Sequence, residues 1–342
     1  MKKVNNTSGS EKVGLKATFL RRYKNETRFR IIFVMLPVAI ITASGILVIQ
    51  SNLSEENYQS FINTFTCILM FVVAFVLFNA KKKNRLITQQ KEELDKKNKE
   101  VEEKNKNIID SITYAKRLQQ AILPTIAAVQ EQLPNSFIYY QPKDIVAGDF
   151  YWMHTTPLSD GRGVGGEVVF IAAADCTGHG VPGAMVSVVC SNALNRAVKE
   201  FNLTDTGLIL DKTRELVIET FEKSDKDVKD GMDISLLRIN STTKEIQWSG
   251  ANNSLWYIAN SPFEGGKGDV ELIEVKADKQ PIGKYSEAKP FTTNKLSLSS
   301  PVTFYLFSDG YADQFSPDDK KLMKKKFKDI VLNIQHLSMA EQ

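Results

Sequence analysis

Two long runs without charged residues constrain this chain more than any other feature. Residues 31–49 and 61–80 contain no Asp, Glu, Lys or Arg, and each run can cross the roughly 30 Å hydrocarbon core of a bilayer as a helix. A buried core helix or a signal peptide can have the same composition. However, the first run starts far from the N-terminus without an evident small-residue cleavage site, and the second run follows directly. The pattern predicts a two-helix transmembrane hairpin over residues 31–80.

The charges that flank these runs predict their orientation. Residues 1–30 hold nine Lys or Arg and two Glu, residues 50–60 hold no Lys or Arg, and "KKKNR" follows at 81–85. Because positive charge collects on the cytoplasmic side of a membrane, we expect a basic cytoplasmic segment over 1–30 and a cytoplasmic location for everything after residue 80. The protein is then a two-pass protein of the inner (cytoplasmic) membrane, and its external loop is too short for a folded sensor domain.

Residues 81–124 predict a charged helical connector that ends at Pro124. A weak heptad pattern places apolar residues every seven positions, at Ile87, Leu94, Val101 and Ile108. Asn98 and Asn105 occupy positions where a second apolar stripe would lie. Two interpretations remain open. The connector is either a single solvated helix, or a parallel coiled coil that joins two copies of the chain and carries a signal from membrane to cytosol.

Composition excludes several classes of site. The net charge of +4 is small and unevenly placed, so it does not indicate a nucleic-acid partner. Three cysteines and three histidines are scattered without metal-ligand spacing, which argues against a disulfide framework and against a zinc site.

From about residue 135 the chain alternates short β-branched or aromatic runs with Gly, Asn, Pro and Asp. The runs that we predict as strands are "SFIYYQPK", "GDFYWMHT", "EVVFIAAAD", "DISLLRI", "EIQWSG", "SLWYIAN", "VELIEV" and "VTFYLFSD". Helical patterns fall at about 182–201, 204–223 and 320–334, and "SDGRGVGGE" (159–167) and "PFEGGKGD" (262–269) resemble exposed loops. Because strands and helices do not alternate regularly, the order predicts an α+β fold built on antiparallel sheets.

Three aspartates occur where an apolar run meets a glycine: Asp149, Asp175 and Asp309. Asp233 differs because it precedes a strand. A single Asp next to Gly is usually a turn residue, but carboxylates at strand ends are costly unless they are paired or bind a cation. Oxygen ligands without imidazole or thiolate suit Mg²⁺ or Mn²⁺. These residues alone therefore indicate a divalent-metal hydrolase acting on a phosphate ester.

Six motifs in a fixed order make a resemblance specific: "PKDIVAGDFYW", "ADCTGHGVPGAMVS", "DGMDISLL", "GANNSLWYI", "KQPIG" and "LFSDGYADQF". Together they resemble the SpoIIE-type branch of the metal-dependent protein phosphatase (PPM) family, over about residues 110–335. "DSITYAKRLQQAILP" is similar to the segment that leads into this domain in membrane-tethered members. The resemblance implies a sandwich of two mainly antiparallel β-sheets flanked by helices, over residues 125–342.

The resemblance also implies a two-metal site, with Mn²⁺ or Mg²⁺ as cofactor. Asp149 and Asp309 match metal ligands, Asp175 matches the aspartate that bridges both metals, and Cys176 would contribute only its backbone carbonyl. The implied reaction is attack by a metal-activated water on a phosphoserine or phosphothreonine. The implied substrate is a regulatory phosphoprotein, such as an anti-sigma-antagonist-type domain.

Two further residues are candidates for the site, and each of them also has an interpretation without a role in catalysis or binding. His179 could act as general acid, but the acid candidate of related enzymes matches Thr177, so His179 could equally pack against or cap the following helix. Lys143 could contact the substrate phosphate, or it could be an ordinary exposed lysine.

One departure from the family weakens the expectation of catalysis. The family's last metal ligand is an aspartate in a C-terminal strand, and no such strand follows the last helical pattern of this sequence. We therefore expect the domain over 125–342 to lack its last strand. Two alternatives to the phosphatase remain: a catalytically inactive, phosphatase-like membrane signalling scaffold, and a generic metal-dependent phosphodiesterase.

Overall fold

A computed structural model describes residues 54–158, 166–223, 229–259, 271–297 and 302–342, together with Ala39, Thr42, Ala43 and Gly45. The basic segment 1–30 and almost all of the first predicted span, 31–49, lie outside these residues. The predicted loop 262–269 also lies outside them, and so does the predicted loop 159–167 apart from residues 166 and 167. The chain divides into two compact units, Met1–Val101 and Glu102–Gln342.

One long helix, α1 (Glu55–Ile122), includes both the second predicted span and the connector. It is the one helix in the described part of the chain that is long and apolar enough to cross a membrane, with a mean hydropathy of 2.5 over its most apolar window. None of that window is buried inside the protein. These features are compatible with one membrane span. They do not support the predicted two-helix hairpin, whose first span lies almost entirely outside the described residues. The helix ends just before Pro124, as expected for a residue that cannot continue a helix.

Within the described residues, the second unit contains eight strands and four further helices. In chain order they are α2 (Ile126–Gln132), β1 (Phe150–Leu158), β2 (Gly166–Cys176), α3 (Gly180–Lys199), α4 (Thr206–Glu222), β3 (Met232–Asn240), β4 (Ile246–Ala251), β5 (Leu255–Ala259), β6 (Glu271–Val275), β7 (Asn294–Leu296), β8 (Val302–Tyr305) and α5 (Met323–Asn333). The strands form a five-stranded sheet in the order β1-β2-β3-β4-β7 and a three-stranded sheet in the order β6-β5-β8. Every ladder is antiparallel.

Three apolar clusters show how these elements are layered. The largest packs the larger sheet against α3 and α4, with Phe170, Leu194 and Leu210 among its buried members. A second lies between the sheets, around Trp248 of the larger sheet and Leu255 of the smaller. The third packs the smaller sheet against α5. The domain is therefore a sandwich of two antiparallel sheets with helices on its outer faces, which confirms the predicted α+β, PPM-type fold.

The sandwich explains the sequence of its central strand. In β3 the central residues from Ile234 to Leu237 are all buried instead of alternating between core and solvent. A strand that lies between a helical layer and a second sheet is covered on both faces, so its apolar run is continuous.

Two local predictions were wrong. Residues 136–143, predicted as a strand, are irregular. Their aromatic residues pack instead of pairing in a ladder: the Tyr140 ring meets the edge of the Tyr151 ring at 5.5 Å. The short strand β7 was missed, because three residues are too few for a periodic signal. The three predicted helices exist, with ends shifted by one to three residues.

Candidate active site

The antiparallel register of the larger sheet brings aspartates to one edge. Asp175, the penultimate residue of β2, pairs directly with Asp233 of β3. Asp149 immediately precedes Phe150, which pairs with Ala174. The end of β2 and the beginnings of β1 and β3 therefore meet at the same edge. Three carboxylates that are distant in sequence become neighbours there.

The fourth aspartate comes from the smaller sheet. Asp309 follows β8, and the segment before it is tied to the turn between β4 and β5 because the Asn253 side chain donates to the Phe307 carbonyl. The Asp175 carboxyl lies close enough to Asp149 and Asp309 for both of their charges to act on it, and Ser308, next to Asp309, donates to Asp149 Oδ2. The structure thus brings together the three aspartates that the sequence singled out, and we call Asp149, Asp175, Asp233 and Asp309 the acidic edge.

Burial and mutual repulsion disfavour the charged forms of carboxylates in the acidic edge. Burial raises the pKa of Asp175 to about 8, and the negative charges of Asp149 and Asp309 add to this effect. Burial also raises the pKa of Asp233, against a hydrogen bond of 2.8 Å from Asn252 Nδ2 that favours its charged form. Such shifts arise when carboxylates share a site without positive charge.

Neutral donors hold the edge in place. Ser308 Oγ donates to Asp149 Oδ2, and Thr177 Oγ1 donates to Asp230 Oδ1 at 2.8 Å while it accepts from the Gly231 N–H. The sequence analysis did not assign Asp233, Asn252, Ser308 or Asp230 to the site. All four lie inside or beside the quoted motifs, so motif membership was the signal that could have identified them.

The glycines after Asp175 serve close packing. Gly178 and Gly180 have positive φ values of +84° and +62°, a conformation that side chains rarely adopt. A Cβ on Gly183 would lie 2.4 Å from the Gly178 carbonyl oxygen, and a Cβ on Gly148 would lie 3.2 Å from the Cys176 carbonyl oxygen. The turn after β2 therefore lies directly against both the first turn of α3 and the residue that precedes Asp149.

The other predicted site residues lie as follows. The Cys176 side chain is buried, and its contact with Cys190 and its burial raise the pKa of its thiol well above the usual value. Lys143 is exposed. His179 is 89% exposed, with Nδ1 3.4 Å from Asp144 Oδ2. It occupies the N-cap position of α3 without a capping hydrogen bond, so the predicted capping role is wrong, and its catalytic role stays a prediction.

The donor chemistry of the acidic edge fits a hard divalent cation, because carboxylates and a backbone carbonyl are the ligands that Mg²⁺ and Mn²⁺ prefer. The uncompensated charge around Asp175 also fits this assignment. However, within the described ranges no group of three or more His, Cys, Asp or Glu side chains is arranged to hold a metal ion.

Comparisons with known proteins agree with this geometry. The solved SiaA-PP2C domain of Pseudomonas aeruginosa is 26% identical, with a TM-score of 0.56 over 69% of this chain and 86% of that chain. More remote similarity extends to the RsbU and RsbW domains of a Mycobacterium tuberculosis protein (16% identity, TM-score 0.40, 56% of this chain and 47% of that one). It extends also to the PP2C phosphatase domain of SpoIIE from Bacillus subtilis, solved with a fragment of its regulatory domain (14%, 0.37, 57% and 55%).

No curated protein matches the chain. The family model for stage II sporulation protein E (SpoIIE) matches residues 165–342, just over half of the chain. The chain therefore belongs to the SpoIIE family, and its second unit is a phosphatase domain of the PP2C type.

Proposed function

We propose that this protein is a metal-dependent phosphatase that hydrolyses phosphoserine or phosphothreonine on a regulatory protein. The observation that carries the proposal is the convergence of Asp149, Asp175 and Asp309 at one edge of a SpoIIE-family domain. Strongly perturbed carboxylates at one site often mark the position of chemistry.

The residues have distinct roles in this proposal. Asp149, Asp175 and Asp309 would hold Mn²⁺ or Mg²⁺, and the Cys176 backbone carbonyl would add a neutral ligand. When bound, such cations lower the pKa of a coordinated water and stabilise charge on phosphoryl oxygens. Ser308 fixes the orientation of Asp149 through its hydrogen bond. Lys143 and His179 are available from the solvent side for the substrate phosphate or the leaving group.

The proposed substrate is a phosphoprotein, possible examples being anti-sigma-antagonist-type domains. The motifs that support this substrate are those of the resemblance, "ADCTGHGVPGAMVS" and "LFSDGYADQF" above all. A buried and crowded site would exclude a folded protein, but Thr177, Gly178 and His179 are exposed beside Asp175. A phosphoserine on a protein segment can therefore approach the acidic edge.

We further propose that the chain is tethered to the cytoplasmic membrane by residues 31–80 and is a homodimer through its connector. Exposed apolar residues recur every seven positions on α1, at Ile87, Leu94, Val101 and Ile108. This pattern supports pairing with a second copy. Analytical ultracentrifugation of the full chain in detergent should give a dimer. A strictly monomeric protein at micromolar concentration would rule out this part of the proposal.

The central experiment is phosphate release from a phosphoserine protein by the full chain, with and without Mn²⁺. We expect activity that depends on Mn²⁺ and is abolished by Asp175→Asn. Hydrolysis of a phosphodiester but not of phosphoserine would point to a phosphodiesterase instead.

One observation favours a second candidate, the catalytically inactive scaffold: the acidic edge does not form a group of ligands ready to hold a metal. Isothermal titration calorimetry with Mn²⁺ distinguishes the two. Two-site binding supports the phosphatase, whereas a protein that is folded and binds no Mn²⁺ supports the scaffold.

A further inference from the structure

The chain after Asp309 forms a closed loop, residues 311–323, which we call the docking loop. Its beginning is a turn in which the Asp313 N–H donates to the Asp309 carbonyl at 2.9 Å. Two hydrogen bonds of 2.8 Å close its base, from the Leu322 N–H to the Gln314 carbonyl and from the Met323 N–H to the Ala312 carbonyl. The loop is therefore fixed directly to one aspartate of the acidic edge at its start and to α5 at its end.

Exposed aromatic rings lie on the docking loop and on the irregular segment 136–143. Phe315 is 64% exposed and Tyr139 is 69% exposed. Tyr139 meets Tyr311 in an edge contact with ring centroids 6.1 Å apart. Tyr311 is anchored in turn on Phe327 of α5, at 4.8 Å. Tyr and Phe supply large contact areas at low conformational cost, and they are enriched where proteins meet partners.

The same region is strongly basic. Residues 316–326 contain five lysines and two aspartates. Lys321 pairs with Asp313 and Lys324 pairs with Glu274, each at 2.7 Å. The remaining three lysines are exposed and form no ion pair within the described part of the chain: Lys320, Lys325 and Lys326. Positive charge thus remains available for a partner in the segment that follows Asp309.

Local helix stability does not explain these lysines. Lys324, Lys325 and Lys326 occupy the first turn of α5, which contains no acidic residue, and the N-cap residue Leu322 provides no side-chain hydrogen bond. Cations at a helix N-terminus oppose the helix dipole. Lys324 is compensated by its pair with Glu274. Lys325 and Lys326 weaken the beginning of the helix without such a pair, so their charge is better explained by an interaction outside the helix.

We propose that the docking loop and the first turn of α5 bind an acidic, phosphorylated protein segment and present its phosphoserine to the acidic edge. The proposal rests on the proposed phosphatase function and names the recognition surface of that site. The aromatic rings would contact apolar side chains of the segment. The unpaired lysines would attract its acidic flanks and so select among phosphoproteins.

The test measures binding separately from catalysis. The probe is a fluorescein-labelled phosphoserine peptide with Asp and Glu on both sides, and the reference probe has Asn and Gln in their place. Fluorescence anisotropy reports binding of each peptide to the full chain in detergent. The test variant is Lys325→Gln with Lys326→Gln, and the matched control is Lys199→Gln with Lys244→Gln, which removes the same charge from two other exposed positions.

For the acidic peptide we expect about a tenfold increase in Kd in the test variant at low salt, and a much smaller one at high salt, because the attraction is electrostatic. The control should bind like the unmodified protein, and the reference peptide should bind weakly to all three. Phe315→Ala should also weaken binding, independently of salt.

Other outcomes separate the two proposals. If both double variants bind the acidic peptide equally well, the docking proposal is wrong even when phosphatase activity is present. Binding that depends on Lys325 and Lys326 without hydrolysis of any phosphoserine probe would keep the docking surface and overturn the phosphatase. If the test variant loses only its binding to anionic lipid vesicles, the basic surface serves the membrane, and docking is again wrong.

Discussion

Asp175 and Glu274 are both partly buried carboxylates of one domain, yet their pKa values are shifted in opposite directions. Burial and the charges of Asp149 and Asp309 raise the pKa of Asp175 to about 8. Partial burial also acts to raise the pKa of Glu274, but hydrogen bonds and charges from Lys324 and Lys328, both at 2.7 Å, lower it to about 2.

The difference lies in what each carboxylate stabilises. Glu274 of β6 joins the smaller sheet to α5 through two ion pairs, so its charge contributes to folding. Asp175 has the carboxylates of Asp149 and Asp309 as neighbours, so its ionisation opposes folding in the absence of a bound cation. A site that lowers the stability of its own fold is typical of function, and this contrast yields four predictions.

The largest expected effect is that of Asp175→Asn on activity. We expect Mn²⁺-dependent phosphate release to fall by about a thousandfold or more, because the proposed bridging ligand is lost. The free energy of unfolding of the metal-free protein at neutral pH should stay equal or increase, because the folded protein no longer has to bury this carboxyl in its ionised form or take up a proton to neutralise it. Phosphate release and urea unfolding on the same preparation check both. A variant that unfolds more easily would mean that Asp175 is a structural residue like Glu274.

The second prediction concerns pH. Asp175 has a higher pKa in the folded protein than in the unfolded chain, so its contribution to stability is complete at acidic pH and is lost as pH rises toward about 8. Thermal unfolding of the metal-free protein between about pH 5 and about pH 8 should show a decline in stability that Asp175→Asn reduces. An equal decline in both proteins would contradict the assigned pKa.

A third residue sharpens the comparison because it is buried, polar and neutral. Gln119 near the end of α1 donates to the Ala147 carbonyl at 2.6 Å and to Ser187 Oγ at 2.9 Å, and it accepts from the Ala147 N–H at 3.1 Å. Gln119→Ala leaves the Ala147 carbonyl and N–H without their Gln119 partners, although Ser187 Oγ keeps its hydrogen bond to the Ala184 carbonyl. The free energy of unfolding should fall by about 2 kcal/mol. Gln120→Ala, at an exposed neighbouring position, is the control and should change it little.

The smallest effect is that of Glu274→Gln, for which we expect a loss of about 1 kcal/mol at neutral pH. The pKa of Glu274 is lower in the folded protein, so its stabilisation is present above about 4.5 and is lost as pH falls toward 2. Urea unfolding should therefore show a smaller difference between variant and unmodified protein at acidic pH. Glu271→Gln, exposed on the same strand, is the control, and an equal loss in both would show that Lys324 and Lys328 do not stabilise Glu274.

Much of the fold was predictable because strands carry their own signal. The apolar run before Asp175 and the run that begins after Asp233 were both assigned correctly as strands. The irregular segment 136–143 has the same aromatic composition as a strand. Its structure depends on what the rings contact, and composition does not contain that information.

The candidate site was predictable in its residues and not in its electrostatics. The motifs identified Asp149, Asp175 and Asp309, but the hydrogen bond from Asn252 to Asp233 joins residues whose roles no pattern indicated. The docking loop was invisible for a similar reason. Its lysines matched a helical pattern in the sequence. Only the structure shows that Lys320, Lys325 and Lys326 are exposed and form no ion pair with the described residues.

Local composition and period were enough to predict most of the strands and helices, the apolar segment of α1 and the aspartates at strand ends. The three-dimensional arrangement was needed to place those aspartates at one edge, and to show that Asp175 has carboxylate neighbours whereas Glu274 pairs with Lys324 and Lys328. The physical reason is that pKa and binding depend on distances between charges, and the antiparallel register of two sheets sets those distances.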